Sequence, residues 1–366
     1  MKKTLAIISP NQNAYSETFI QAHKKLPFNI KYYYNGYLPA QLEGRKSLIE
    51  FSIKERIAKK LKKEFSLREY ALLYSLKREK VDCVLAEYGP TACESLEVIK
   101  HLKLPLVVHF HGYDASVKSV LEKYKAQYKE IFSYAKNIVV VSKQMKAALI
   151  ALECPANKLF ISTYGPRPEF LDNKPEYNSS QFVSVGRFVE KKAPYLTILA
   201  FKKVVEQFPN ASLKMVGEGE LIAVCKNIVC SLNLSKNIEF LGIKSTEEIK
   251  KIFEESIAFI QHSIIADDGD SEGTPVAVLE AQAAALPVIS TFHAGITDVV
   301  VNNETGLLVQ EKDVDGMANN MLRILNEKKF AFKLGQKGRV RIEENFTLQK
   351  HLIALENIIN KAMSNG

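Results

Sequence analysis

The chain of 366 residues lacks any apolar run approaching the 18 or so residues that a membrane-spanning helix needs. Met1-Lys2-Lys3 followed by Thr4-Leu5-Ala6-Ile7-Ile8 imitates the start of a signal peptide, but Ser9-Pro10-Asn11 ends the apolar stretch too soon for a signal core. That stretch reads as a first β-strand. Cysteine is scarce: Cys83, Cys93, Cys154, Cys225 and Cys230 are odd in number and form no close C-x-x-C pair, which points to reduced cytosolic thiols. There is no internal repeat, no low-complexity tract, and no nucleic-acid-binding motif to accompany the positive charge.

What is present is an ordinary globular composition, 46% hydrophobic, over a length that suggests two domains. The net charge of +9 is unevenly shared. Residues 1–166 hold 27 Lys and Arg against 15 Asp and Glu, whereas residues 167–366 hold 23 against 26. The first half should therefore meet something anionic. Its densest part, Lys54 to Phe65, sets Ile53, Ile57, Leu61 and Phe65 on one helical stripe. Two readings stay open: a helix lying on an acidic membrane surface, or a solvated helix docked on its own domain.

Short β-branched runs alternate with helical stretches, the mark of parallel βαβ units. Strands are expected at Leu5 to Ser9, Ile30 to Tyr34, Cys83 to Ala86, Leu106 to Phe110, Ile138 to Val141 and Leu159 to Thr163. Helices should fill Ser16 to Lys25, Ile53 to Lys80, Thr91 to His101, Ser116 to Tyr134 and Lys143 to Leu152. Tyr164-Gly165-Pro166-Arg167-Pro168 breaks the pattern as a hinge would. The alternation then restarts, with strands at Phe182 to Val185, Leu213 to Val216, Ile238 to Leu241, Ala258 to Gln261, Val288 to Ser290 and Gly306 to Val309. Two doubly wound α/β domains are expected, with ligands beyond the carboxyl ends of their strands.

The most informative stretch is Ser271-Glu272-Gly273-Thr274-Pro275-Val276-Ala277-Val278-Leu279-Glu280. Thr274 fits an N-cap and Pro275 the first helical position, where a missing N–H costs nothing. Val276 to Ala285 is free of helix breakers, so a helix should start at the loop and run away from it. Its first N–H groups suit phosphate or carboxylate. Glu280 falls roughly 7 to 8 Å along the axis from Pro275, at about 1.5 Å per residue. One acid at the mouth of an anion pocket and another deeper inside fit a ligand with hydroxyls on both sides of a diphosphate. Two Glu eight apart also arise by chance on ordinary helices.

The whole string resembles the E-x7-E signature of the retaining glycosyltransferases of family 4, group 1, with Glu272 and Glu280 as the two acids. The resemblance implies a GT-B fold: two Rossmann-like doubly wound domains facing across a cleft, and a last helix crossing back to the first. Residues 1–166 would be the acceptor side, 167–345 the nucleotide-sugar domain and 346–366 the crossing helix. Gly186-Arg187, Lys192 and Pro194 resemble the family's donor-phosphate motif, a fork and a point charge that both suit diphosphate. The implied catalytic residues are Glu272, His111, Arg187 and Lys192. The implied donor contacts are Arg187, Lys192, Gly217, Ile243, Gly273, Thr274, Pro275, Val276 and Glu280. Gly217 and Ile243 could equally belong to ordinary tight turns.

In His109-Phe110-His111-Gly112-Tyr113-Asp114 the two His share a strand face and with Asp114 could bind a metal. No further His or Cys cluster in the sequence completes a shell, so no metal is expected. The stretch resembles the family's His-Gly-x-Asp loop, in which the residue matching His111 reaches the donor sugar; Asp114 would border the acceptor pocket or hold the loop. Ser16-Glu17-Thr18-Phe19-Ile20 resembles bacterial polysaccharide-assembly members, which puts Glu17 and Thr18 on the acceptor side. Glu87 stands where close relatives often have His, and is given no role. Ala285 replaces a common Gly, read as a matter of packing. Asp268-Gly269-Asp270 is a literal D-x-D, expected to be solvated or to face sugar rather than metal. His293 is read as structural.

Together these imply a retaining transferase that moves a sugar from a UDP- or GDP-sugar to a glycan or lipid-linked acceptor in cell-surface polysaccharide synthesis. No cofactor is required, nucleic acid is not a partner, and the expected location is cytoplasmic, with peripheral contact to the inner face of the plasma membrane if the basic helix binds lipid. The alternatives are an epimerase or phosphorylase of the same fold, or a catalytically silent glycan- or sugar-nucleotide-binding protein.

Overall fold

The computed structural model describes residues 2–15, 17–45, 47–49 and 64–364. The chain divides into two compact units, residues 1–162 with 352–366, and residues 163–351.

The first unit is built on seven strands: β1 (Thr4–Ile8), β2 (Asn29–Tyr34), β3 (Gln41–Leu42), β4 (Cys83–Glu87), β5 (Leu106–His109), β6 (Asn137–Val140) and β7 (Leu159–Ile161). They lie in the order β3-β2-β1-β4-β5-β6-β7, parallel except for the edge pair of β2 with β3. Leu5 to Ile8 are fully buried, as a parallel strand covered on both faces requires. The strands expected from apolar runs are all present. Only β3 was not foreseen, because two residues carry no alternation. Helices occupy Thr18–His23, Leu67–Arg78, Gly89–His101, Lys118–Tyr134 and Lys143–Ala151. Of the expected helix Ile53 to Lys80, the basic part from 53 to 63 lies outside the described residues, as does Ser16. Leu67–Arg78 starts where the sequence can hold a helix end: Ser66 and Glu69 form a reciprocal capping box.

The second unit is a six-stranded parallel sheet of β8 (Gln181–Val185), β9 (Ser212–Val216), β10 (Ile238–Gly242), β11 (Ala258–Ile260), β12 (Val288–Thr291) and β13 (Gly306–Val309). Their order is β10-β9-β8-β11-β12-β13. The winding reverses between β8 and β11, which opens a crevice at the carboxyl ends of those two strands. In the first unit the corresponding reversal falls between β1 and β4. Phe182, Ile198, Phe201, Leu213, Ile260 and Ile289 fill the core of the second unit. Burying each such side chain contributes about 1.5–3 kcal/mol. Among the described residues no helix is long and apolar enough to cross a membrane.

The helix expected from Val276 spans Val276–Ala283, and Pro275, not Thr274, stands at its N-cap. The helix thus starts one residue later than expected. At its other end Leu286 N donates to Ala281 O and Ala285 N to Gln282 O, with Ala285 in the left-handed region at φ 59°. The expectation that Ala285 concerns packing alone is therefore corrected: the position asks for a backbone conformation that glycine adopts without penalty. Helix Lys328–Asn345 lies against this turn. A Cβ on Gly335 would overlap the Ala285 carbonyl oxygen and come within 2.7 Å of the Tyr177 hydroxyl. Gly335→Ala is expected to destabilise the protein by about 2–3 kcal/mol, read as a lower urea midpoint. An unchanged midpoint would show that the two elements can part without cost.

Candidate functional site

In the second unit the chain leaves β8 through Gly186-Arg187, makes a short 3-10 turn at Glu190–Lys192, and enters helix Pro194–Gln207 with Pro194 in its first turn, as expected. Ala193 between them sits at φ 34°, a strained position for a residue with a Cβ. Arg187 is exposed, and with Gly186, Lys192, Pro194 and Gln261 it lines one small pocket at the carboxyl ends of β8 and β11. Lys192 Nζ lies 2.7 Å from Glu272 Oε1 and 3.3 Å from Gln261 Oε1. The Lys192 and Glu272 side chains are 14% and 8% exposed, so this pair is screened little by solvent. Burial pushes the Glu272 carboxyl up, but Lys192 and Lys191 outweigh it and hold it at about 2. The Lys192 and Glu272 side chains and the start of the Pro194 helix are therefore gathered at one place, the reversal point of the sheet; the helix Val276–Ala283 begins four residues after Glu272. Gly217, at φ 128°, follows β9 next to it; a Cβ there would overlap the Gly186 carbonyl. Ile243 follows β10 and is 49% exposed.

Glu280 is buried and faces a partner not foreseen from the sequence. Arg167 grips it with Nε at 2.6 Å from Oε1 and Nη2 at 3.1 Å from Oε2, while Nη1 donates to Thr246 Oγ1. Burial pushes the Glu280 carboxyl up even so. The sequence signal was an arginine fixed between Pro166 and Pro168. In the D-x-D stretch, expected to be solvated or to face sugar, Asp268 is exposed and Asp270 half-buried. Asp270 Oδ1 accepts from Lys191 Nζ at 3.0 Å, and Asp268 Oδ1 accepts from the Asp270 amide at 2.8 Å. Lys191, itself buried, ties this loop to the turn that carries Lys192.

In the first unit, His111 Nε2 lies 2.8 Å from Glu87 Oε2, and His23 Nδ1 lies 2.7 Å from Glu87 Oε1. Glu87, left without a role by sequence, is fully buried at the carboxyl end of β4. Burial pushes it up, yet the charge of His23 and the hydrogen bonds from His111 and His23 bring it down to about 2. The signal that could have found it is a carboxylate closing an otherwise apolar strand. His23, Glu87 and His109 place three donor atoms within 4.8 Å of one another, so the chain does supply further donors around His109 that the sequence did not reveal. The two short contacts have the length of hydrogen bonds. Asp114 is fully buried and accepts from the amides of His111, Gly112 and Gly89 at 2.9–3.0 Å, the loop-holding alternative. Glu17 accepts from the Tyr88 hydroxyl at 2.9 Å, and Thr18 opens the first helix.

The second unit matches the family model for glycosyl transferases group 1 over residues 168–341, and the first matches glycosyltransferase family 4 over residues 17–161. The chain belongs to the family 4, group 1 glycosyltransferases. It is 31% identical over 262 residues to the amylovoran biosynthesis glycosyltransferase AmsK of Erwinia amylovora, a match covering 71% of this chain and 64% of that protein. It is 26% identical over 313 residues to an Escherichia coli UDP-Gal:alpha-D-GlcNAc-diphosphoundecaprenol alpha-1,3-galactosyltransferase, covering 78% of each. The crystal structure of Anabaena Alr3699/HepE in complex with UDP and glucose superposes with a TM-score of 0.78 at 12% identity, covering 100% of both chains. That likeness is one of fold, and it identifies the two Rossmann-like units of this chain as the GT-B type.

Burial outweighs Glu272 at Lys192 and holds its ammonium below its usual range, so the gain lies on the carboxyl side: because the folded Glu272 carboxyl lies below its unfolded value of about 4.3, its contribution is fully present above that value and is lost as pH falls toward about 2. Glu272→Gln should therefore lower stability at about pH 6, and the gap to wild type should narrow as pH falls toward about 3, followed by urea unfolding. A gap independent of pH would remove the ion pair as its cause.

Proposed function

We propose that this glycosyltransferase moves a sugar from a nucleoside-diphosphate sugar to a glycan or lipid-linked acceptor with retention of anomeric configuration, in cell-surface polysaccharide biosynthesis. The observation that carries the reading is the gathering of Arg187, Lys192, Glu272 and the start of the Pro194 helix at the reversal point of the second unit's sheet, with a further helix beginning four residues after Glu272. Departure of the diphosphate builds negative charge on its β-phosphate and positive charge on the sugar. Arg187, Lys192 and the helix starts at Pro194 and Val276 offset the first. A diphosphate competes with Glu272 for Lys192, and the released carboxylate then takes up the sugar hydroxyls. Glu280 holds the ribose while Arg167 keeps its carboxylate oriented. Gly217, Ile243, Gly273 and Thr274 border the nucleotide through backbone groups.

From the first unit, His111 serves the donor sugar, with its ring oriented by Glu87. Glu17 and Thr18 are assigned to the acceptor, and Asp114 to holding the His111 loop. A UDP-sugar donor is favoured by two relatives, one named for UDP-Gal and one solved with UDP and glucose. Retention is favoured by the alpha linkage in the first of those names. A cytoplasmic location and attachment to anionic membrane belong to the same proposal.

The experiment is a panel of UDP- and GDP-sugars against the purified protein, following thermal shift and donor turnover. One donor should raise the melting temperature and be slowly hydrolysed. Arg187→Ala and Lys192→Ala should each lower turnover on the order of 100- to 1,000-fold. No stabilising donor, or full turnover in Lys192→Ala, would overturn the reading; in the same preparation, absence from anionic vesicles at low salt would remove membrane attachment.

A further inference from the structure

Glu272 is tied at its carboxylate to Lys192, and its backbone is held by a second device that the proposed chemistry does not use. Glu272 N donates to His293 Nε2 at 3.2 Å, and Ser271 Oγ lies 3.2 Å from the same nitrogen. On the other side of the ring, His293 Nδ1 lies 2.6 Å from Glu311 Oε1. Glu311 Oε2 accepts from the Ile265 amide at 3.0 Å, so one carboxylate joins the segment after β13 to the loop after β11. The ring is buried. Gly295, two residues on, donates from its amide to Gly273 O at 3.0 Å, and a Cβ at 295 would overlap that carbonyl and Thr274 Oγ1. The 291–296 turn is thus laid directly on the Glu272 loop.

The direction of these bonds fixes the state of the ring. A backbone N–H can only donate, so Nε2 must present its lone pair. The ring proton then sits on Nδ1 and is donated to Glu311. A second proton on the ring would set an N–H against the Glu272 N–H and abolish that bond. The charged groups around the ring are Glu311 at Nδ1 and Glu272 on the Nε2 side. Lys192 neutralises the Glu272 carboxylate, and Lys191 with Asp270 flank the preceding residue.

We infer that His293 and Glu311 are positioning residues for Glu272: a neutral, Nδ1-protonated imidazole, set by Glu311, holds the amides and hydroxyl of the Ser271–Glu272 loop so that the Glu272 carboxylate is presented in one orientation. The inference rests on the donor-sugar role assigned to Glu272 above. It makes the orientation of the Glu272 carboxylate depend on an acceptor at the Nε2 position and on the Glu311 carboxylate that holds the ring.

The test is donor turnover by the full chain, with kcat and KM separated. His293→Ala should lower kcat on the order of 10- to 100-fold with a smaller change in KM, because the carboxylate loses its orientation rather than the diphosphate its cations. His293→Gln places an amide oxygen where Nε2 was. It should restore near-wild-type kcat, since the Glu272 amide again has an acceptor. Glu311→Gln offers one acceptor oxygen to two donors, His293 Nδ1–H and the Ile265 amide, so it should lower kcat as well, again with a smaller change in KM. If His293→Ala does not fold, the kcat values of His293→Gln and Glu311→Gln decide alone. Wild-type kcat in His293→Ala, or in Glu311→Gln where His293→Ala does not fold, overturns the positioning role. Glu272→Ala separates the two levels: full turnover in that variant removes both the Glu272 assignment and this one, whereas loss of turnover there with unaltered His293 variants removes this one only.

Discussion

The ion pair of Lys192 with Glu272 is the constraint around which the second unit is arranged. Each side chain is nearly withdrawn from water, and removing one partner would leave an uncompensated buried charge, a change that costs about 3–5 kcal/mol in proteins generally. The pair therefore fixes the turn after β8 against the loop after β11. These are the two strands at which the sheet reverses its winding, so the crevice opened by strand order is also where the cations and the acid are pinned. Lys191 repeats the linkage one residue earlier through Asp270, and Gln261 anchors Lys192 to the end of β11 itself. The cation of this site is thus held in place by protein partners, Glu272 and Gln261, until something replaces them.

The first unit applies the same logic with different residues. Its winding reverses between β1 and β4, and the last residue of β4 is a fully buried glutamate held by two histidines. In both units an acid is removed from water and satisfied by a basic side chain from another element: Glu87 at the end of β4, Glu272 in the loop after β11. Tyr88, directly after Glu87, sits at φ 74° with its ring against His111 and its hydroxyl on Glu17, so a left-handed backbone position stands beside the cluster.

Much of this was legible in the chain because parallel strands buried on both faces are written as continuous apolar runs, and the runs at Leu5, Val107, Val183 and Ile289 fall where strands form. The turns and helix starts that hold Lys192 and Glu272 were legible too, since Gly186-Arg187, Pro194 and the string from Ser271 to Glu280 are local and carry turn and cap chemistry in a few residues. What was not legible depends on contacts between distant positions. Arg167 meets Glu280 and Lys191 meets Asp270 across separations of 113 and 79 residues, and no local pattern announces either partner. Glu87 was passed over because its meaning lies in His23 and His111, which only the sheet brings to it. Ala285 was misjudged for a different reason: its backbone dihedral, invisible in an alanine, is what the position requires.

The most direct test is a crystal structure of the protein with a bound nucleoside diphosphate. If the pair is the seat of donor binding, the β-phosphate lies within hydrogen-bond distance of Lys192 Nζ and Arg187, over the start of the Pro194 helix, and Lys192 has let go of Glu272. A diphosphate seated elsewhere, with the Lys192–Glu272 contact intact, would contradict the account.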